Sequence, residues 1–173
     1  MNIEHISRAL GRAKLDVYRG EIEGYRLTEM GLLVPNNLKL FEWVGNNIIL
    51  TTGKNLVLDR LFALSAVIAL THIGVGTDST TAVVGQAQLN PLVSGSTTFA
   101  AFDGAPNAPS RTGSVVTYQA TFGTGVANFA WAEAGTFNGA VNGVSTMFNR
   151  IVIGPFTKTP AVSIVMQFQI TQT

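Results

Sequence analysis

Apolar and polar residues alternate with a period of two over several short runs, the pattern of half-buried strands. Leu15, Val17 and Arg19 alternate with Asp16 and Tyr18, and Tyr25, Leu27 and Glu29 with Arg26, Thr28 and Met30. Residues 38–44 set Phe41 and Trp43 on one face and Leu38 and Leu40 on the other. Val116, Tyr118, Ala120 and Phe122 repeat the pattern. The last segment is the cleanest, with Val162, Ile164, Met166, Phe168 and Ile170 facing one way and Ser163, Gln167, Gln169 and Thr171 the other. Gly20, Gly24, Pro35-Asn36-Asn37 and Gly45-Asn46-Asn47 punctuate the early runs as turns, while Gly123-Thr124-Gly125 and Asn138-Gly139 read as hairpin connections.

Two segments have helical spacing instead. Residues 2–14 place Ile3, Ile6, Leu10 and Ala13 three or four apart, with Glu4 one turn before Arg8. That predicts a short amphipathic helix or arm, weakened by Gly11 and marginal unless it docks on something. A second helix starts at Thr51 or Thr52, whose hydroxyl can cap a free first-turn N–H, and carries Val57, Leu61 and Leu64 as its apolar stripe. Residues 91–112, rich in Ser, Gly, Ala and Pro, predict a long surface loop or arm. The fold expected is mainly β: an antiparallel β-sandwich with one central helix and a short N-terminal helix or arm. Residues 1–44 form the arm and a strand pair, and 45–173 the sandwich body of a single compact domain.

Composition changes the picture chiefly through charge. The chain has 173 residues, 46% apolar, no cysteine and a net charge of +1, which leaves no disulfide frame and no electrostatic footprint for nucleic acid or an anionic membrane. The longest apolar run, residues 61–70, is too short to span a bilayer, and the opening residues do not read as a secretory signal. From Leu61 to Thr173 the charged residues are only Asp78, Asp103, Arg111, Glu133, Arg150 and Lys158. A soluble exterior is about a quarter to a third charged, so this stretch is built to lie against copies or neighbours. We expect self-association, as a homotrimer, before any chemistry.

The residues offer chemistry little. Thr52-Gly53-Lys54-Asn55 lacks the earlier glycine and following hydroxyl of a phosphate loop, and Gly74-Val75-Gly76-Thr77 reads as a turn, not a dinucleotide fingerprint. His5 and His72 have no second metal ligand at strand or helical spacing. A Ser-His-Asp set from His72 and Asp78 has no local nucleophile signature, and glycoside cleavage would have to pair Asp78, Asp103 or Glu133. No catalytic, cofactor-binding or metal-binding residue is assigned, and no cofactor is expected. Glu133 is the acid that stands out: it follows the apolar Phe129-Ala130-Trp131-Ala132 and precedes the turn-like Gly135-Thr136-Phe137-Asn138. A carboxylate there needs compensation, from backbone N–H groups or from Arg150 on the next strand, which makes Glu133 and Arg150 a structural turn clamp.

Three blocks in order resemble a family of small tailed-bacteriophage virion structural proteins. They are Asn46-Asn47-Ile48-Ile49-Leu50-Thr51-Thr52-Gly53-Lys54-Asn55 running into Asp59; Thr71-His72-Ile73-Gly74-Val75-Gly76-Thr77 followed by Ser79-Thr80-Thr81-Ala82 and Leu89; and Glu133-Ala134-Gly135-Thr136-Phe137-Asn138, then Thr146-Met147-Phe148-Asn149-Arg150, Lys158 and the alternating last strand. The chain departs from such proteins in having Trp131-Ala132 just before the Glu-Ala-Gly. The resemblance implies a non-enzymatic part of the virion, assembled in the host cytoplasm: a capsid cement or decoration protein bound to the major capsid protein, or else a baseplate, adaptor or fibre-base piece of the tail. Ile3, Ile6 and Leu10 would then make assembly contacts. A host-glycan-binding sandwich is the third expectation, and it requires exposed aromatics such as Trp43 or Trp131.

Overall fold

A computed structural model of the chain describes residues 10–22, 25–27, 33–35, 37–64, 69–89, 98–141 and 144–171. Among these residues the elements are β1 (Leu10–Arg19), β2 (Tyr25–Leu27), β3 (Leu33–Pro35), β4 (Lys39–Ile49), α1 (Thr51–Phe62), β5 (His72–Gly76), β6 (Phe99–Ala101), β7 (Ser110–Thr112), β8 (Val115–Phe122), β9 (Ala130–Phe137), β10 (Met147–Thr157) and β11 (Val162–Thr171). Nine strands make one antiparallel sheet in the order β6-β5-β9-β10-β4-β1-β11-β8-β7, with β2 and β3 as a separate pair.

The mainly-β class read from the alternation holds, but the layers arise differently. One continuous sheet curls over on itself. The Asp103 N–H donates to Gln119 O at 2.9 Å, and a bridge between Phe102 and Ala120 lays the β6 side of the sheet against β8. Strand β4 joins the two halves: residues 39–47 ladder onto β1, and Ile48 and Ile49 pair with Arg150 and Asn149 of β10. The period of two then fills the space between the halves. Leu15 and Val17 of β1, Ile164, Met166 and Phe168 of β11, and Phe122 of β8 meet Trp131 of β9 and Ile151 of β10 in the main core. A smaller cluster of Leu50, Leu89, Phe99, Phe137 and Met147 lies beneath the start of α1.

Several expectations are corrected. Residues 10–14 are strand, not helix: β1 is an interior strand that pairs with both β4 and β11, so hydrogen bonding on two sides overrides a weak helical pattern. This part of residues 1–44 is thus built into the body and is no arm. Leu10 opens β1 opposite Thr171, while Ile3, Ile6 and His5 lie outside the described residues. The helix expected from Thr51 or Thr52 forms as α1, but its apolar stripe is not buried. Only Gly53 of it is buried, and Leu61, Phe62 and Leu64 are exposed. Leu50, not a threonine, stands at its N-cap, and its hydrocarbon side chain cannot cap; the Thr52 hydroxyl donates to Met147 O at 2.6 Å. A Cβ on Gly53 would sit 2.1 Å from Phe148 O, so its absence lets the helix start rest directly on β10.

Within residues 91–112, Phe99–Ala101 and Ser110–Thr112 are the strands β6 and β7 and Phe99 is buried, while residues 103–109 between them are a mostly exposed loop as expected. Gly74-Val75-Gly76 is no turn but most of β5. Gly135-Thr136-Phe137 likewise continues β9 and pairs with β10. Residues 123–129 cross from β8 in one half to β9 in the other and so make no hairpin, whereas Asn138-Gly139 does open the β9–β10 connection.

Candidate functional site: a buried arginine holding a loop

Arg150 comes from β10 and Glu133 from β9, at interior positions of neighbouring strands. Both side chains are fully buried, and Arg150 Nε donates to Glu133 Oε2 at 2.7 Å. The remaining guanidinium N–H groups reach into the connection after β5. One terminal nitrogen donates to Thr80 O and to Gln86 Oε1, each at 3.0 Å, and the other to Asp78 O at 3.2 Å and Asp78 Oδ2 at 3.3 Å. All five donors of the guanidinium fork are therefore engaged. A buried cation is tolerated only when it is both paired and hydrogen-bonded, and Arg150 is both.

The loop, residues 77–89, is also fixed from within. Asp78 accepts the Thr80 N–H at 2.8 Å and the Thr80 hydroxyl at 2.7 Å, which together with the Arg150 charge hold its carboxyl below the usual range. Gln86 Oε1 accepts the Val83 N–H at 2.9 Å, and Val84 O accepts the Thr51 N–H at 2.8 Å, fastening the loop to the first turn of α1. Leu89 is buried at its far end. The side chains left outside, among them Thr77, Ser79, Thr81, Val83, Val84 and Ala87, are uncharged. Gly76 makes the clamp possible: a Cβ there would lie 2.3 Å from Glu133 Oε1, in the space the carboxylate fills.

The predicted Glu133–Arg150 pair thus forms, but mid-strand. Arg150 clamps a loop 64 to 72 positions away in sequence instead of its own hairpin. Asp78, Thr80 and Gln86 complete it and were not foreseen in this role. Asp78-Ser79-Thr80 has the residue types of an Asx turn, a signal for the turn but not for its partner Arg150.

A second polar group crosses the core. The Tyr118 hydroxyl of β8 lies 3.1 Å from Thr136 Oγ1, Asn149 Nδ2 donates to it at 3.2 Å, and Asn149 Oδ1 accepts the Thr136 N–H at 3.0 Å. Burial pushes the Tyr118 phenol up to about 12. This network joins the two halves of the sheet at a point where both are otherwise apolar.

The other candidate residues do not converge on a reaction centre. His72 Nδ1 lies 2.8 Å from Thr71 Oγ1, and partial burial lowers its pKa, while both Asp78 oxygens are taken by Thr80 and Arg150. Asp78 and Glu133 are brought together with Arg150 between them. Asp103 is elsewhere, accepting from the Thr121 N–H, the Thr121 hydroxyl and Gln119 Nε2. Among the described residues no group of three His, Cys, Asp or Glu could hold a metal ion, and no helix is long and apolar enough to cross a membrane. Trp131 is fully buried, with its indole N–H donating to Ala127 O at 2.8 Å, and so offers no stacking face. Trp43 stands opposite Leu15 in the β1–β4 ladder. Comparison with protein-family models, curated proteins and solved structures finds no match to this chain.

Proposed function

We propose that the chain is a non-enzymatic structural subunit of a tailed-phage particle, a capsid cement or decoration protein that assembles with copies of itself and lies on the major capsid protein. The observation that carries this reading is where the six charged residues from Leu61 onward go. Asp78, Glu133 and Arg150 are joined in the clamp, Lys158 is 1% exposed, and Asp103 is held by Gln119 and Thr121. Arg111 remains as the one exposed charged residue of the stretch. An exterior so poor in charge is a contact surface by construction, since free monomers resist association through their charge. The loop on Arg150 adds a second support: it is rigid before any partner arrives, so little ordering cost attends docking. The phage setting rests on the three sequence blocks described above.

Labelling of particles with an antibody to this chain, viewed by electron microscopy, tests the reading. Label over the head is the expected result. Label at the tail moves the subunit to the baseplate, adaptor or fibre base, and particles without label overturn the proposal.

A further inference from the structure

We infer that the open edge of β4 is where two copies of this chain join, strand against strand, about a two-fold axis. The inference takes from the assembly reading above only that the chain joins copies of itself; the face it names lies before the charge-poor stretch, in β4. Along residues 39–47 the ladder runs only on the β1 side among the described residues, because pairing with β10 is confined to Ile48 and Ile49. An edge of that length presents a row of unpaired N–H and C=O groups, a template for another strand. The same segment carries a row of exposed apolar side chains, with Leu38 at 62%, Leu40 at 46% and Val44 at 55% exposure. Edges are ordinarily defended by proline or a free lysine. No proline lies in β4, and Lys39 is drawn into contact with Asp16 and Glu42.

Length and alternation select the occupant. The terminal strands β6 and β7 have three residues each and cannot cover nine. The β10 segment beyond Arg150 runs only from Ile151 to Thr157, shorter than residues 39–47, and among its described side chains has no large apolar one as exposed as those of β4. A second β4 supplies both a matching edge and a matching apolar row. Antiparallel pairing keeps like faces together, so Leu38, Leu40 and Val44 of the two copies merge into one strip. Charge does not oppose the contact: Glu42 is already neutralised by Lys14 at 3.1 Å and by Lys39. The unit formed is a dimer, where the sequence suggested a trimer.

The test uses the full chain in light scattering across micromolar concentrations, comparing the parent, Leu40→Lys/Val44→Lys, and the control Val141→Lys/Val144→Lys, whose valines lie elsewhere and are at least as exposed. The expected result is a twofold loss of mass for the β4 variant at an unchanged melting temperature, with the control like the parent. Because the chain has no cysteine, single cysteines at Leu38, Leu40, Glu42 and Val44, alone and mixed, should give disulfide-linked dimers on oxidation, and one at Val144 should not. An assembled parent whose mass survives both lysines, with no β4 cross-links, overturns this inference and leaves the assembly reading standing. A parent that is monomeric throughout overturns both. Cross-links from Val44→Cys to Val152→Cys instead of to β4 overturn the choice of occupant in favour of β10.

Discussion

Removing the Glu133 carboxylate isolates the energetics of the clamp. In Glu133→Ala the guanidinium of Arg150 keeps its bonds to Asp78, Thr80 and Gln86 but loses its fully buried counter-charge. The nearest remaining carboxylate oxygen is Asp78 Oδ2 at 3.3 Å. Breaking a buried pair by deleting one member costs about 3–5 kcal/mol, far more than the pair contributes over an apolar substitute, because a charge is left without compensation. For a domain of this size each kcal/mol moves the melting temperature by about 2–4 °C, so the variant should melt roughly 10 °C lower. Glu133→Gln should lose less, since its amide oxygen can still accept from Nε. Glu133→Leu/Arg150→Met, which removes both charges, should be more stable than the sum of the single losses predicts. Chemical denaturation of the parent, Glu133→Leu, Arg150→Met and the double variant gives the double-mutant cycle. Hydrogen exchange adds a second readout: amides of residues 77–88 should lose protection in any variant lacking Arg150, even where global stability recovers. A Glu133→Ala loss under about 1 kcal/mol, the scale of an exposed ion pair, would refute the reasoning.

Gly76→Ala should destabilise by about 1–3 kcal/mol through overpacking against Glu133 Oε1, and the loss should shrink in a Glu133→Ala background, where the space is empty; denaturation of both pairs checks it. Tyr118→Phe should cost about 1–3 kcal/mol by leaving Asn149 and Thr136 without the hydroxyl they share, and it should abolish a late ultraviolet phenol titration near 12 in the parent. The Glu42 carboxyl is held down to about 2, from an ordinary 4.5, by hydrogen bonds from Lys39 and Lys14. It binds its proton less readily folded than unfolded, so the stability it contributes is present above pH 4.5 and is lost as the pH falls toward 2. Glu42→Gln should flatten that part of the stability–pH curve, and added salt should flatten it too because the group is exposed.

What the sequence disclosed divides along physical lines. Strands β8 and β11 were legible because one face of each meets the core while the other is mostly polar and half-open to solvent, Ser163 and Val165 of β11 being the buried exceptions, so side-chain chemistry records the pleat. Strands β5 and β9 were not, because both their faces are covered: Trp131 through Phe137 is buried without interruption, and glycine stands where Glu133 needs room. Glycine in such strands looks like a turn until the neighbour that demands it is known. The error over residues 10–14 has another source. Ala13 and Leu10 happen to continue a spacing of three and four, and only pairing with β4 and β11 decides against a helix. The Glu133–Arg150 pair could be anticipated because an acid beside an apolar run must be compensated. The loop it holds could not, since carbonyl acceptors leave no trace in residue identity.

That last point bears on how this loop can change. Arg150 grips it through the main-chain oxygens of Asp78 and Thr80 and through just two side chains, those of Asp78 and Gln86. Ser79, Thr81, Ala82, Val83, Val84 and Ala87 supply no side-chain bond to the guanidinium. Their identities are free to vary while the backbone stays in place, as the framework of a display scaffold stays fixed while its presented letters are exchanged. Randomising these six positions should yield folded proteins at high frequency and give a library of surfaces on one rigid loop.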